Sequence, residues 1–186
     1  MLQNILINLN ILSKIKPYDK IYINKDNLIT IEYNSIFQGI YRFFYNNNRE
    51  KNLTNLVIFY QTVYSTIDDL LNSQYLNIDN VPQYITNDSD EYNKTLNNLT
   101  KIKHYLELSI DGINNLKKTY HGDIVTDSRL DIIINNCEMY IDKICKKITI
   151  INLLDSKYNL IKSEPSSDIP IEKKELSKSS SKDKLL

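Results

Sequence analysis

The sequence is defined first by what it lacks. Its 186 residues contain no tryptophan, three glycines, four prolines and two cysteines. Lysine and arginine total 23 and aspartate and glutamate total 23, so no overall electric field attracts nucleic acid or an anionic membrane, and such binding would need a local patch. No stretch approaches the roughly 20 apolar residues needed to cross a bilayer. The N-terminus lacks the basic region and cleavage site of a signal peptide, so we expect an intracellular protein without a membrane span.

The motifs of common enzyme classes are also missing. The sequence contains no phosphate-binding loop, no GxSxG nucleophile elbow and no HExxH zinc motif. Cys137 and Cys145 lie eight residues apart in one helical pattern, which separates their Cα atoms by about 12 Å, whereas a disulfide tolerates about 7 Å. Two free thiols fit a reducing compartment. We therefore predict a non-enzymatic protein with no catalytic residues, no cofactor and no metal.

Hydrophobic periodicity predicts the N-terminal elements. Residues 2–15 show helical spacing that Pro17 ends. From Lys20 to Tyr33 the period switches to two, and turn residues at 25–27 separate the two runs, which predicts a β-hairpin. Residues 35–46, SIFQGIYRFFYN, predict a short aromatic helix. The hairpin face expected to pack against the helices consists of Ile21, Ile23, Ile29 and Ile31.

Three long amphipathic helices are predicted next. They run from about Glu50 to Asn72, from Asp90 or Glu91 to Tyr120, and from Thr126 to Ile161, where Thr126, Asp127 or Ser128 can provide the N-cap. A short helical turn is predicted near Val81–Ile85. The result is a mainly α fold, in which a bundle of three long helices is extended by an N-terminal helix, a small β-hairpin and the aromatic helix. Each long helix carries an apolar stripe along one face. The stripe of the first consists of Leu53, Leu56, Val57, Tyr60, Val63, Tyr64, Ile67, Leu70 and Leu71. The stripe of the second consists of Tyr92, Leu96, Leu99, Ile102, Leu106, Ile110, Ile113 and Leu116, and that of the third consists of Leu130, Ile133, Ile134, Cys137, Ile141, Ile144, Ile148 and Ile151.

The composition changes after Ile161. Residues 162–186 are rich in serine and lysine and contain two prolines, with too few apolar side chains to offset the entropy of ordering. We predict one helical domain over 1–161 and a disordered tail over 162–186. Acidic residues dilute the tail's lysines, which favours a solvated tail over a nucleic-acid-binding arm.

One segment is the candidate contact site. Tyr41, Arg42, Tyr45, Arg49 and Lys51 combine aromatic rings with cations, and we call residues 41–51 the aromatic-basic segment. Such a mixture suits stacking on single-stranded bases with phosphate contacts. It equally suits a protein partner, or a helix buried under the hairpin whose guanidinium groups reach solvent.

Two groups of polar residues resemble reactive sites. His104, Glu107 and Asp111 share one helix face, which is a possible set of metal ligands. About 100° of rotation per residue places them opposite the apolar stripe, which predicts a solvated face. His121-Gly122-Asp123 has residue types found in catalytic dyads, but its place between two helices favours capping.

The pattern DKIYI...LITIE...FQGIYRFFYNNNREKNL resembles uncharacterised proteins of giant DNA viruses of the Mimivirus group. The bias toward isoleucine, asparagine, lysine and tyrosine is typical of a very AT-rich genome. The resemblance implies a viral protein made in the host cytoplasm and packaged in the virion, and it defines no catalytic residue. Our first hypothesis is a helical interaction or assembly protein with a protein partner. The alternative is a nucleic-acid-binding accessory protein that uses the aromatic-basic segment.

Overall fold

A computed structural model describes residues 2–17, 19–23, 29–32, 49–87, 89–119 and 123–163. In chain order, the described elements are α1 (Leu2–Leu12), β1 (Lys20–Ile23), β2 (Ile29–Glu32), α2 (Arg49–Leu71), a 3-10 turn (Gln74–Leu76), α3 (Val81–Thr86), α4 (Asp90–Thr119) and α5 (Ile124–Ser163). The protein is mainly α with one small hairpin, as predicted. The predicted aromatic helix and most of the predicted tail lie outside the described residues.

The hairpin confirms the period-two reading of residues 20–32. β1 and β2 pair antiparallel, with Ile21 opposite Ile31 and Ile23 opposite Ile29. The side chains of Ile21, Ile23 and Ile29 are buried, whereas Tyr22 is exposed. Alternate residues of a strand point to opposite faces, so the isoleucines reach the helices. The side chain of Ile31 is outside the described part of the structure.

Asparagine side chains from α1 and α2 hold the hairpin against the bundle. The Asn52 and Asn55 amides donate to the carbonyl oxygens of Ile21 and Ile23, at 3.0 and 3.2 Å. The buried Asn8 accepts a hydrogen bond of 3.2 Å from the Ile29 backbone N–H. An isolated two-stranded hairpin is only marginally stable, and these bonds satisfy backbone groups that would otherwise be buried without partners.

The three long helices form the predicted bundle. Contacts between α2 and α5 advance in the same direction along both helices, from Glu50 with Arg129 to Asp68 with Tyr140, so these two helices are parallel. Near the C-terminus of α4, Lys117 pairs with Asp131 near the start of α5, so α4 and α5 are antiparallel. One cluster of buried apolar residues draws members from α1, both strands and every helix of the bundle.

Helix α1 crosses α4 at a glycine. A Cβ atom placed on Gly112 would lie 1.9 Å from the Leu12 carbonyl oxygen, so only glycine permits this approach. The Asn115 amide also donates to the Ile15 carbonyl oxygen at 2.9 Å. Gly112 therefore sets the distance between the N-terminal helix and the bundle.

The predicted N-cap of α5 was wrong. Helix α5 begins at Ile124, and the Asp123 side chain caps it by accepting from backbone N–H groups of the first turn. One Asp123 carboxylate oxygen accepts from the Val125 backbone N–H at 3.2 Å, and the other accepts from the Thr126 hydroxyl at 2.7 Å. The prediction began the helix too late because Ile124 and Val125 are exposed apolar residues that do not belong to the buried stripe.

Candidate interaction surface

The structure describes only part of the aromatic-basic segment. Tyr41, Arg42 and Tyr45 lie outside the described residues. Arg49 is the first residue of α2, and its side chain is not described. Lys51 is exposed on the first turn of α2. The role of the aromatic-basic segment therefore stays a prediction.

The predicted solvated face of α4 is confirmed. His104, Glu107 and Asp111 are all exposed. The Lys103 ammonium lies 2.7 Å from the Glu107 carboxylate, a pair one helical turn apart, and this hydrogen bond raises the pKa of Lys103. Within the described residues, no group of three or more histidine, cysteine or acidic side chains could hold a metal ion.

Buried hydroxyl groups join the bundle helices from within. The Tyr60 hydroxyl donates to Ser109 at 3.0 Å, which connects α2 to α4. The Tyr64 hydroxyl donates to the Ile133 carbonyl oxygen at 3.0 Å and lies 3.4 Å from the Cys137 sulfur, which connects α2 to α5. Burial raises the pKa of both tyrosines, and it raises the pKa of Cys137 to about 12. Because the nucleophilic form of cysteine is the thiolate, the buried Cys137 thiol is unreactive at neutral pH.

A second set of contacts, centred on Tyr140, joins α2 and α5. The Tyr140 ring stacks on Tyr64 with 4.6 Å between centroids and 3° between planes. Its hydroxyl donates to the Asp68 carboxylate at 2.7 Å, and this bond, with burial, raises the pKa of Tyr140 to about 12. The Lys143 ammonium lies 4.2 Å from the centre of the same ring. Asp68 is half-exposed on α2, and its hydrogen bond with Tyr140 links α2 to α5.

The outward face of α5 carries apolar residues at a spacing of seven. We call residues 125, 132, 139, 146, 153 and 160 the outer line. Five of them are apolar and exposed: Val125 at 59%, Ile132 at 59%, Met139 at 44%, Leu153 at 66% and Leu160 at 68%. The sixth is Lys146, whose ammonium pairs with Asp142 at 2.6 Å. At about 100° per residue, the line lies on the side of α5 opposite the buried stripe.

A cleft adjoins the outer line where α2 and α5 meet. Its volume is about 360 Å³, and Ile132 belongs both to its lining and to the outer line. The buried tyrosines Tyr60 and Tyr64 contribute to the lining together with Val57. Arg129 also lines the cleft and pairs with Glu50. The outer line and the cleft therefore meet at Ile132, beside the junction of the parallel helices α2 and α5.

Sequence reasoning missed this surface although its signal was present. The seven-residue spacing from 125 to 160 is readable in the sequence. The prediction considered only the apolar stripe that packs into the bundle, and the exposure of the second stripe depends on which side of α5 the other helices cover.

The described residues include no helix that is both long and apolar enough to span a membrane. Compared with protein-family models, with curated proteins and with solved structures, the chain matches none of them. The fold and its surface therefore define a class only: a helical bundle with an exposed heptad-spaced apolar line.

Proposed function

We propose that this is a non-enzymatic interaction or assembly protein that binds a helix of a partner protein along the outer line of α5. The observation that carries the proposal is the exposure of the five apolar residues of the outer line, which are spaced by seven residues except where Lys146 stands between Met139 and Leu153. The resemblance to giant-virus proteins directs the proposal toward a structural or accessory role in the host cytoplasm or the virion.

The period of the outer line selects the kind of partner. Apolar residues that repeat every seven positions keep facing a neighbouring helix when the two helices supercoil. Scattered exposed apolar residues are normal on protein surfaces, but five of them share one line of one helix, which only Lys146 interrupts. The strip fits the apolar face of an amphipathic helix, a common mode of recognition.

The magnitude limits the outer line to a reversible complex. Fully burying a large apolar side chain contributes about 1.5 to 3 kcal/mol. The five apolar residues of the outer line are 44–68% exposed, so burying their remaining exposed surface contributes roughly 4 to 9 kcal/mol. The cost of association is about 4 to 15 kcal/mol. The two terms are of similar size, which corresponds to a weak complex, and contacts with the adjoining cleft at Ile132 would add to it.

Site-specific photo-crosslinking tests the proposal. The photoreactive residue benzoylphenylalanine replaces Leu153 in the full chain, and the control carries it at Asn97, which is exposed on α4. In extracts of the native cell, the Leu153 site should give a protein adduct of defined mass that the Asn97 site does not. Mass spectrometry should place the adduct on an amphipathic helix. Identical adducts from both sites, or none from either, would contradict the proposal.

A further inference from the structure

We infer that the helix bound by the outer line is the α5 helix of a second copy of this chain, arranged antiparallel. The inference rests on the proposed function, because it names the partner of the same surface. Its basis is the arrangement of apolar and charged residues along the line, the position of the cleft and the size of the strip.

The outer line is complementary to itself when reversed. Its six positions are equally spaced, so an antiparallel copy centred between residues 142 and 143 brings every position opposite another member of the line. Ile132 then lies opposite the partner subunit's Leu153, and Val125 opposite the partner subunit's Leu160. The β-branched residues of the first half meet the leucines of the second half. A twofold interface is built from such reciprocal contacts.

Lys146 determines whether the two α5 helices run parallel or antiparallel. A parallel pair in register would place Lys146 directly against its own copy, and like charges in direct contact are destabilising. The antiparallel pair places Lys146 against Met139, so that the lysine methylenes cover an apolar side chain while the ammonium remains at the edge. The ammonium already has a partner there, since it lies 2.6 Å from the Asp142 carboxylate of the same helix.

The cleft lies beside Ile132, where the antiparallel pair brings in a leucine side chain of the second copy. Ile132 lines the cleft of about 360 Å³ between α2 and α5. In the antiparallel register the partner subunit's Leu153 faces Ile132, at the mouth of that cleft. Leu153 is 66% exposed in the single chain. The twofold symmetry repeats this insertion at the other end of the interface, so two leucines would occupy two clefts.

The strip is large enough for a reversible dimer. The 36 residues from Val125 to Leu160 are separated by 35 steps, which span about 52 Å at 1.5 Å per step. With a helix width of about 10 Å, the footprint is about 500 Å² per copy, or about 1,000 Å² in total. This value lies at the lower limit of specific interfaces. We therefore expect a dimer that dissociates on dilution in the micromolar range.

Sedimentation of the full chain tests self-association. The weight-average mass should rise from monomer to dimer across the micromolar range. Leu153→Lys should weaken dimerisation at least tenfold, whereas Asn97→Lys, which adds the same charge at an exposed position of α4, should not. Both positions are exposed, and matching circular dichroism spectra and melting temperatures would establish that both variants fold. A wild-type chain that stays monomeric to about 0.5 mM would overturn the inference.

Disulfide trapping tests the direction. Ile132→Cys and Leu153→Cys are prepared as separate chains in a Cys145→Ser background, and Cys137 is buried. On mild oxidation, the mixture should form the mixed disulfide in preference to either symmetric disulfide. Preferential symmetric disulfides would overturn the antiparallel arrangement. If the chain is monomeric while photo-crosslinking at Leu153 captures a different protein on an amphipathic helix, this inference fails and the proposed function stands.

Discussion

The close approach of α1 to α4 predicts the effect of replacing Gly112 with alanine. The new Cβ atom would lie 1.9 Å from the Leu12 carbonyl oxygen and 2.8 Å from its carbon. Real Cβ atoms essentially never come within 3.0 Å of other heavy atoms, and the obstacle is backbone rather than a flexible side chain. Helix α1 would have to move by more than 1 Å, which would loosen its buried side chains Ile5, Leu9 and Leu12.

Two opposing effects determine how much Gly112→Ala changes the free energy of unfolding. Alanine in place of glycine favours a helix by about 1 kcal/mol. Overpacking typically costs 1 to 3 kcal/mol, and a clash with backbone belongs at or above the upper end. The net change is a loss of about 2 kcal/mol in the free energy of unfolding. For a chain of this size, about 2 to 4 °C per kcal/mol gives a melting temperature lower by about 4 to 8 °C.

Thermal and urea unfolding followed by far-ultraviolet circular dichroism measure this change. The matched control is Asn114→Ala, two residues along the same helix at an exposed position. This control gains helix propensity without a clash, so its stability should equal or slightly exceed that of the wild type. A Gly112→Ala protein as stable as the Asn114→Ala control would refute the close packing of α1 on α4.

Further predictions concern groups inside the bundle and the aromatic-basic segment. In the native protein at pH 8, a thiol reagent should modify the half-buried Cys145 quickly and the buried Cys137 only on unfolding; equal rates would contradict the packing. The pKa of Tyr140 is raised to about 12, so the folded state favours the neutral phenol more than the unfolded chain does. This preference stabilises the folded state below pH 10, and the stabilisation should be lost as the pH rises from 10 to 12. Asp68→Asn should lower that pKa in a titration at 295 nm, and an unchanged titration would exclude the Asp68 hydrogen bond as its cause. For the alternative function, single-stranded DNA should bind at low salt and lose affinity when both arginines of the aromatic-basic segment become alanine; absence of binding at low salt would eliminate that function.

Periodicity was enough to predict most of the secondary structure among the described residues, although α1 ends at Leu12, earlier than Pro17 indicated, and the 3-10 turn Gln74–Leu76 was not predicted. The switch from a period near 3.6 to a period of two located the hairpin, and the long apolar stripes located α2, α4 and α5. Local signals succeeded here because each element buries one face, and burial of one face imposes a period on the sequence. The short helix α3 was also predicted, from the residues around Pro82 in the connection.

Features that depend on how helices meet were not predictable. Phe59 and Tyr140 are buried although neither belonged to a predicted stripe. Tyr140 is covered because α2 supplies both Tyr64, which stacks on its ring, and Asp68, which accepts its hydroxyl. The role of Gly112 is likewise invisible in the sequence, because nothing local indicates that Leu12 crosses α4 at that residue.

The candidate interaction surface was likewise only partly predictable from the sequence. The sequence contains the seven-residue spacing of the outer line, but only the arrangement of α2 and α4 around α5 reveals that this second stripe faces solvent. The aromatic-basic segment was selected by composition alone, and of its chosen residues only the Lys51 side chain is among those described. It remains a prediction beside the surface on α5.

A cysteine-accessibility scan along α5 tests most directly whether the outer line is an interface. Single cysteines are placed from residue 132 to residue 157 in a Cys145→Ser background, and their modification rates are measured at high and at low protein concentration. Modification should slow at high concentration at 132, 139, 146 and 153 and stay fast at exposed positions on other sides of the helix, such as 138 and 152. Rates independent of concentration at every position, or slowing without the seven-residue period, would contradict an interface along the outer line.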